Sequence, residues 1–386
     1  MSLTRERPRV PTEFPDWGRW SQSAPYVIGV EEEVMVLEPR GWGLAGDTDG
    51  LLFDLGQDLA GSVAGETHQA VLELTSAPHT RAAHAAEELA GLRESLNREL
   101  RARGLQAAAA GTHPRALWTD VQVSSGRRYQ AIYESMRELA RREPTFAQHV
   151  HVGVEDPEQA VNLLNRLRAH LPLLLALSAN SPFWQGRDSG LASARTSIFQ
   201  AFPRVGIPRQ FADYSDYVEA VDRMLRCGAF ADPTFLWWDV RLQPRFGTVE
   251  VRIMDAQSTS DRTGALAALV QSIAHLELEE GYYDSDVARA PEILDENRFL
   301  AARDGMEAQL LDPVAEERVR ARDVLEQLLE ALVPHARALG CGAVLDSVLA
   351  MAHDTGERRQ RRVARSHGLD GLMTSLAVDF TRDDRR

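Results

Sequence analysis

Read for the alternation of apolar and polar positions, the first two thirds of the chain is a succession of short strands broken by helices. Tyr26 to Leu37 alternates with the period of a half-buried strand, and His68 to Thr75, Leu105 to Ala110 and Phe146 to Val154 read the same way. Phe235 to Leu242 and Thr248 to Met254 predict a hairpin joined through Gln243 to Gly247. Helical spacing predicts Thr80 to Arg103, with Leu89, Leu92, Leu96 and Leu100 on one side, then Arg127 to Arg142, Pro157 to Ala179 and Asp213 to Leu225. Pro172 should kink or divide the third of these. Gly41 to Gly50 reads as a turn-rich loop. After Asp261 the pattern is helical throughout, including Gly264 to Glu280, Ala315 to Leu332 and Leu345 to Met351. Residues 1–24 read as an irregular lead-in punctuated by Pro8, Pro11 and Pro15, and 25–386 as one domain, since no repeat or long linker divides it. Strands first and helices last predict an α+β domain, an antiparallel sheet covered by helices.

Composition then narrows the chemistry. The 386 residues include no lysine, so all 43 basic side chains are arginine. A Schiff-base lysine and a phosphate-loop lysine are therefore excluded. Any phosphate or carboxylate must be held by arginine, backbone N–H groups or metal, and the planar guanidinium fork suits that work. A net charge of −14 argues against a nucleic-acid or anionic-membrane binder. The two cysteines, Cys227 and Cys341, are far apart and fit a reducing compartment. The first 25 residues lack the apolar core of a signal peptide, and the longest apolar run, Leu171 to Ala179, is too short to cross a bilayer. A soluble, cytoplasmic protein is expected.

Charge inside the predicted strands marks candidate chemistry. Glu31, Glu32 and Glu33 stand in an apolar strand, where carboxylates are costly unless neutralised. Alternation puts Glu31 and Glu33 on one face, about 7 Å apart, and Glu32 on the other. That pair is a candidate metal site, with a solvated edge strand as the competing reading. Glu250 and Arg252 share a face opposite Val249, Val251 and Ile253, and taken alone they are better explained by a surface salt bridge. His149 and His151 share a face of their strand. They suit a zinc hydrolase, a hard-metal site or no function at all. Glu66 and Glu73 bracket another strand. Together these segments describe a sheet with one face lined by Glu, His and Arg. Magnesium takes oxygen ligands and phosphate, and arginine offsets phosphoryl charge, so the set points to phosphoryl transfer. Ser193-Ala194-Arg195-Thr196 offers a further anion contact, or merely a surface arginine. Gly111-Thr112-His113-Pro114 could approach a ligand but is more simply a turn. Asp47-Thr48-Asp49-Gly50 fails as a calcium loop, because its sixth position is Leu52 and its twelfth Asp58. Arg358 to Arg365 reads as a solvated helix face. No G-x-S-x-G elbow and no G-x-G-x-x-G after a strand is present.

Five ordered segments carry a resemblance: Ile28 to Glu33, Gly111 to Pro114, Gln148 to Gly153, Ser178 to Pro182, and Phe246 to Asp255. They resemble the bacterial type 2 glutamate–cysteine ligases, or carboxylate–amine ligases, from about Tyr26 to the C-terminal helices. Asn297-Arg298-Phe299 and Ala301-Ala302-Arg303 resemble that family's later helix. The resemblance implies a glutamine-synthetase-like fold, a curved antiparallel sheet forming a bowl with helices outside. It implies ATP and Mg2+, with Mn2+ as a substitute. It implies Glu31, Glu33, Glu66, Glu73, His151 and Glu250 as metal ligands. Arg252 and Arg195 would meet phosphate or the substrate carboxylate, with Arg303 a further nucleotide contact. The expected reaction joins glutamate to an amine such as cysteine, giving γ-glutamylcysteine through an acyl phosphate. A different amine, a zinc amidohydrolase and a non-catalytic nucleotide-binding homologue are the alternatives. Neither nucleic acid nor membrane is an expected partner, and a homodimer would be unsurprising for the size.

Overall fold

The computed structural model describes residues 14–46, 48–56, 58–141, 144–283 and 290–382. Most of the proline-punctuated lead-in, Asp47 of the rejected calcium loop and Arg142 at the end of a predicted helix lie outside these residues.

Six strands come first: β1 (Ile28–Glu38), β2 (Gly43–Leu44), β3 (Val63–Gly65), β4 (Val71–Thr75), β5 (Gln106–Ala108) and β6 (Ala147–Gly153). Two short pairs follow, β7 (Phe183–Trp184) with β8 (Arg187–Asp188), and β9 (Val205–Gly206) with β10 (Trp237–Trp238). Then come β11 (Val240–Gln243), β12 (Thr248–Asp255) and a late hairpin of β13 (Gln309–Asp312) and β14 (Glu317–Arg320). The main sheet has the order β11-β12-β6-β1-β4-β3, with β2 and β5 also paired to β1. Every pairing in it is antiparallel. The expected α+β architecture is what is observed.

The helices are α1 (Thr48–Phe53), α2 (Ala82–Ala102), α3 (Arg127–Met136), α4 (Pro157–Ser178), α5 (Ala194–Phe199), α6 (Tyr214–Arg226) and α7 (Ser260–Glu279). After these come α8 (Pro291–Asp304), α9 (Ala321–Ala338), α10 (Gly342–His353) and α11 (Gly356–Asp379). Helices α2, α4 and α7 cover one face of the sheet. Of these, α4 lies on β11 and β12, α7 on β6 and β1, and α2 on β1, β4 and β5. Val30, Val34, Leu72, Leu74, Val150, Val152, Val249 and Val251 point into this layer and are buried. Asp156 starts α4 by accepting from the Glu158 and Gln159 amides, and Pro157 occupies the first helical position.

Three expectations need correction. Pro172 does not divide its helix; α4 runs through it, and Leu171 to Ser178 are all buried, so packing on every side offsets the missing hydrogen bond. The chain after Asp261 is not wholly helical, because β13 and β14 intervene and α9 begins at Ala321 rather than Ala315. Asp312 makes that turn by accepting from the Val314 and Ala315 amides, local side-chain chemistry that helical spacing does not register. The strand from Phe235 to Leu242 is broken at Asp239, whose amide donates to Gly206 and whose carboxylate is held by Arg298. The described part of the lead-in is irregular but packed. The Trp20 indole donates to the Val154 carbonyl, and the Tyr214 hydroxyl donates to that of Gly18.

Candidate active site

Opposite the helices, five neighbouring strands, β11, β12, β6, β1 and β4, put charged side chains on one face. Strand register sets Glu31 beside His149, Glu33 beside Glu73, His151 beside Glu250, and Glu250 beside Arg241. All of these but His151 and Glu250 line a cavity of about 240 Å³. Its polar wall includes Glu31, Glu33, Glu66, Glu73, His149, Arg195, Arg241 and Arg252; its apolar wall includes Tyr129, Ile132, Met136, Phe199, Phe202 and Trp237. The apolar wall comes from α3, α5, the turn after α5 and β10, while the sheet supplies most of the charge and α5 adds Arg195.

The charge is unevenly compensated. Arg241 grips Glu250 through Nε at 2.6 Å and Nη2 at 3.3 Å, Gln243 donates at 2.7 Å, and Arg252 adds a further close contact. Burial opposes the charged form, but the two guanidinium groups win and hold the Glu250 carboxyl well below the ordinary carboxylate range. Burial would likewise raise Glu31. His151 and His149, with nitrogens 3.3 and 3.1 Å away, hold it low instead. His151 is correspondingly pushed up by Glu250 and Glu31 against the effect of its burial. His149, beside Arg252, is pushed down to about 4 by burial and that charge.

Glu33, Glu66 and Glu73 have no such partners. Glu33 accepts from the Ala147 amide at 2.6 Å, and Glu66 from the Thr67 amide at 2.9 Å. No guanidinium pairs directly with any of the three among the described residues. One oxygen from each lies within 4.8 Å of one from each of the others. Burial and mutual repulsion push Glu33 up to about 7, Glu66 upward, and Glu73 well above its ordinary value. Glu31, Glu73 and His149 form an adjoining cluster of the same kind, as do Glu31, His151 and Glu250. Oxygen donors held this close, with their charges unmet, have the chemistry of a magnesium site.

Arg195 is placed by the start of α5, where Ser193 caps the helix by accepting from Thr196. Its guanidinium donates to the Ile253 and Arg252 carbonyls and lies 3.7 Å from Asp255. Asp255 in turn accepts from the Asn180 amide and from the Ser181 and Ser193 hydroxyls. Gly111 makes this knot possible. A Cβ there would stand 2.6 Å from the Asp255 carboxyl carbon, so only glycine fits. His113 accepts from two amides and meets the Trp42 carbonyl, which makes its motif a turn.

The structure brings together Glu31, Glu33, Glu66, Glu73, His151, Glu250, Arg195 and Arg252. Arg303 is not brought there. It sits near the end of α8, paired with neighbouring Asp304 and stacked on Phe299, and does not line the cavity. Glu66 belongs to no strand; it follows β3 and is carried in where the Glu66 amide meets the Val71 carbonyl. Arg241 was missed, although its alternation with Val240 and Leu242, opposite Glu250 in the hairpin, was a readable signal. Arg128 and the apolar wall were missed because their segments reach the site only through tertiary packing.

A buried polar sheet face carrying clustered carboxylates and arginines is a site suited to an ATP-dependent ligase. Residues 27–374 match the model of the glutamate–cysteine ligase family 2, and the chain belongs to that family. Membership makes it an ATP-dependent ligase that forms carbon–nitrogen bonds. A Rubrobacter xylanophilus protein named as a candidate glutamate–cysteine ligase 2-1 is 40% identical over 92% of this chain and 95% of its own. The glutamate–cysteine ligase of Natronomonas pharaonis is 36% identical over 92% and 95%. The fold is shared with a Francisella tularensis glutamate–cysteine ligase solved with AMP, at a TM-score of 0.68 and 16% identity over 92% of this chain and 88% of that one. No helix among the described residues is long and apolar enough to cross a membrane.

Proposed function

We propose that the protein joins the γ-carboxylate of glutamate to the amine of cysteine, using ATP and Mg2+. The observation that carries this reading is the uncompensated Glu33, Glu66 and Glu73 cluster facing Arg195 and Arg252 across one cavity. Glu33, Glu66 and Glu73 would hold one divalent cation, and Glu31 with His151 and Glu250 could hold another. Bound metal supplies positive charge against the phosphate oxygens.

A glutamate carboxylate oxygen attacks the γ-phosphorus of ATP; the bond to the bridging oxygen breaks and ADP leaves. Arg252 and Arg195 offset charge on the transferring group, and both are already fixed by the sheet and so need little reorganisation. The amine then attacks the acyl-phosphate carbonyl, gives up a proton to solvent and expels inorganic phosphate. Positioning and electrostatics carry the rate, so no covalent nucleophile and no lysine are required.

The apolar wall of Tyr129, Ile132, Met136 and Phe199 suits a more apolar amine than cysteine, which is the second reading. Phosphate release from ATP, measured with Mg2+, glutamate and a panel of amines, tests both. Release that rises with cysteine, with γ-glutamylcysteine found by mass, supports the first. Release that rises with another amine supports the second. A folded protein that releases none with any amine overturns the proposal.

A further inference from the structure

Helix α3 supplies Tyr129, Ile132 and Met136 to the apolar wall of the cleft, yet little else fixes it there. Of its ten residues only Ile132 and Met136 are buried, and both line the cavity. Arg127, Gln130, Ala131, Glu134 and Ser135 are exposed. Gly126 precedes the helix, and Arg137 ends it at φ 57° and ψ −136°, a backbone state that costs strain in a residue with a Cβ. A short helix between a glycine and a strained residue, whose two buried side chains both face the cavity, has the make-up of a movable element rather than a core one.

The helix is hung from one rim of the sheet. The Tyr129 hydroxyl donates to the Gly65 carbonyl in β3, and the His68 imidazole meets the Ala140 carbonyl at 2.7 Å. The opposite rim is β11, at the other end of the strand order. There Arg241 donates to the Thr234 and Leu236 carbonyls, at 3.1 and 2.8 Å, and fixes the turn that begins at Asp232. Arg128 reaches from the first rim to the second. Its guanidinium lies 3.4 Å from the Asp232 carboxylate and 4.9 Å from the centre of the Phe235 ring. Arg128 and Thr234 both line the cavity, while the Arg128 and Asp232 side chains are each 44% exposed, so the crossing lies at the mouth and not in the floor. Solvent screening keeps such a pair weak, and the ring contact adds modestly to it. The bridge favours closure without preventing opening.

We propose that α3 is a lid over the cleft and that Arg128, through Asp232 and Phe235, is its latch. Opening moves Tyr129, Ile132 and Met136 away from the acidic cluster and admits ligands; closing seals the apolar wall over them. The kinetic consequence rests on the proposed function; the opening itself does not. In the open state water can take the place of the amine. Its oxygen attacks the acyl-phosphate carbonyl, the bond from that carbon to the phosphate oxygen breaks, and inorganic phosphate leaves. A proton passes to solvent and glutamate is regenerated, so ATP is consumed with no amide formed. Closure suppresses this by excluding water.

Hydrogen–deuterium exchange of the full chain reads the lid directly. The variants are Arg128→Ala and Asp232→Asn, the second of which keeps the oxygen that accepts from the Thr234 amide. Amides of residues 127–136 should exchange faster than those of α4 in the wild type, and faster again in both variants. Exchange as slow as in α4, or unmoved by both substitutions, would overturn the proposal. Phosphate released per amide formed reads the consequence. That ratio should rise about tenfold in Arg128→Ala, and Arg128→Lys, which keeps the charge, should return it toward the wild-type value. A merely structural arginine would lower stability and turnover without moving the ratio, so an unmoved ratio in variants that still make amide would overturn the latch. A wild type that releases no phosphate with any amine, while the exchange differences hold, would count against the proposed function alone.

Discussion

Glu32 and its neighbour Glu33 are the same residue on the same strand, yet they live under opposite rules. Glu32 points into the helix layer and is fully buried. Arg93 meets it with two bonds, at 2.6 and 2.9 Å, and the Thr263 hydroxyl adds a third. Arg93 also donates to the Gln257, Ser258 and Phe380 carbonyls, so one ion pair ties β1 to the end of β12 and to the C-terminal helix. On the other face, Glu33 has a backbone amide and two carboxylate neighbours. On the helix side the chain itself answers Glu32, and the pair serves the fold. On the cleft side Glu33, Glu66 and Glu73 are left without a guanidinium partner among the described residues and reserved for what enters the cleft. Buried carboxylates are costly in either case; what differs is whether the chain itself supplies the counter-charge.

The comparison can be broken by substitution. Arg93→Ala should cost the most stability, about 3–5 kcal/mol, because it strands Glu32 in the core; denaturant unfolding would measure it. A loss under about 1 kcal/mol would show the two faces to be alike after all. Glu33→Gln and Arg252→Ala should each lower turnover by about a hundredfold to a thousandfold. Glu33→Gln should leave the melting temperature level or higher, since it removes one repelling carboxylate. Unchanged phosphate release in both would remove the cleft from the chemistry. Glu73→Gln should raise the melting temperature of metal-free protein and shrink the rise that Mg2+ produces in the wild type. An undiminished Mg2+ response would place the metal elsewhere.

The smallest effect belongs to a third buried carboxylate, Glu277. His170 at 2.6 Å and Arg166 at 3.3 Å compensate it fully on the helix side. Burial opposes its charge, but His170, the Tyr282 amide and Arg166 hold it below the ordinary value. Its folded value lies below its unfolded one, so its contribution is present above the unfolded value near pH 4–5 and fades as pH falls further. Melting temperatures of the wild type and Glu277→Gln should therefore converge in acid and separate above pH 5. A constant gap would contradict the assignment.

Much of this was legible in the residues alone. Period-two alternation placed Glu31 and Glu33 opposite Glu32, and Glu250 and Arg252 opposite Val249 and Val251, because strand geometry leaves a side chain only two directions. The α+β class followed from the order of the elements. The absence of lysine by itself excludes whole mechanisms. Tertiary structure decided what lies beyond the reach of local rules. It brought Glu66 into the cleft by a turn, pinned Arg195 through Gly111 and Asp255, added Arg241, and left Arg303 on the surface with Asp304. It also separated the compensated carboxylates from the uncompensated ones. A sequence states which charges exist and which way a strand turns them. Which charges meet depends on segments far apart in the chain, 61 positions for Glu32 and Arg93 and 111 for Glu277 and Arg166, and only the packed chain settles that.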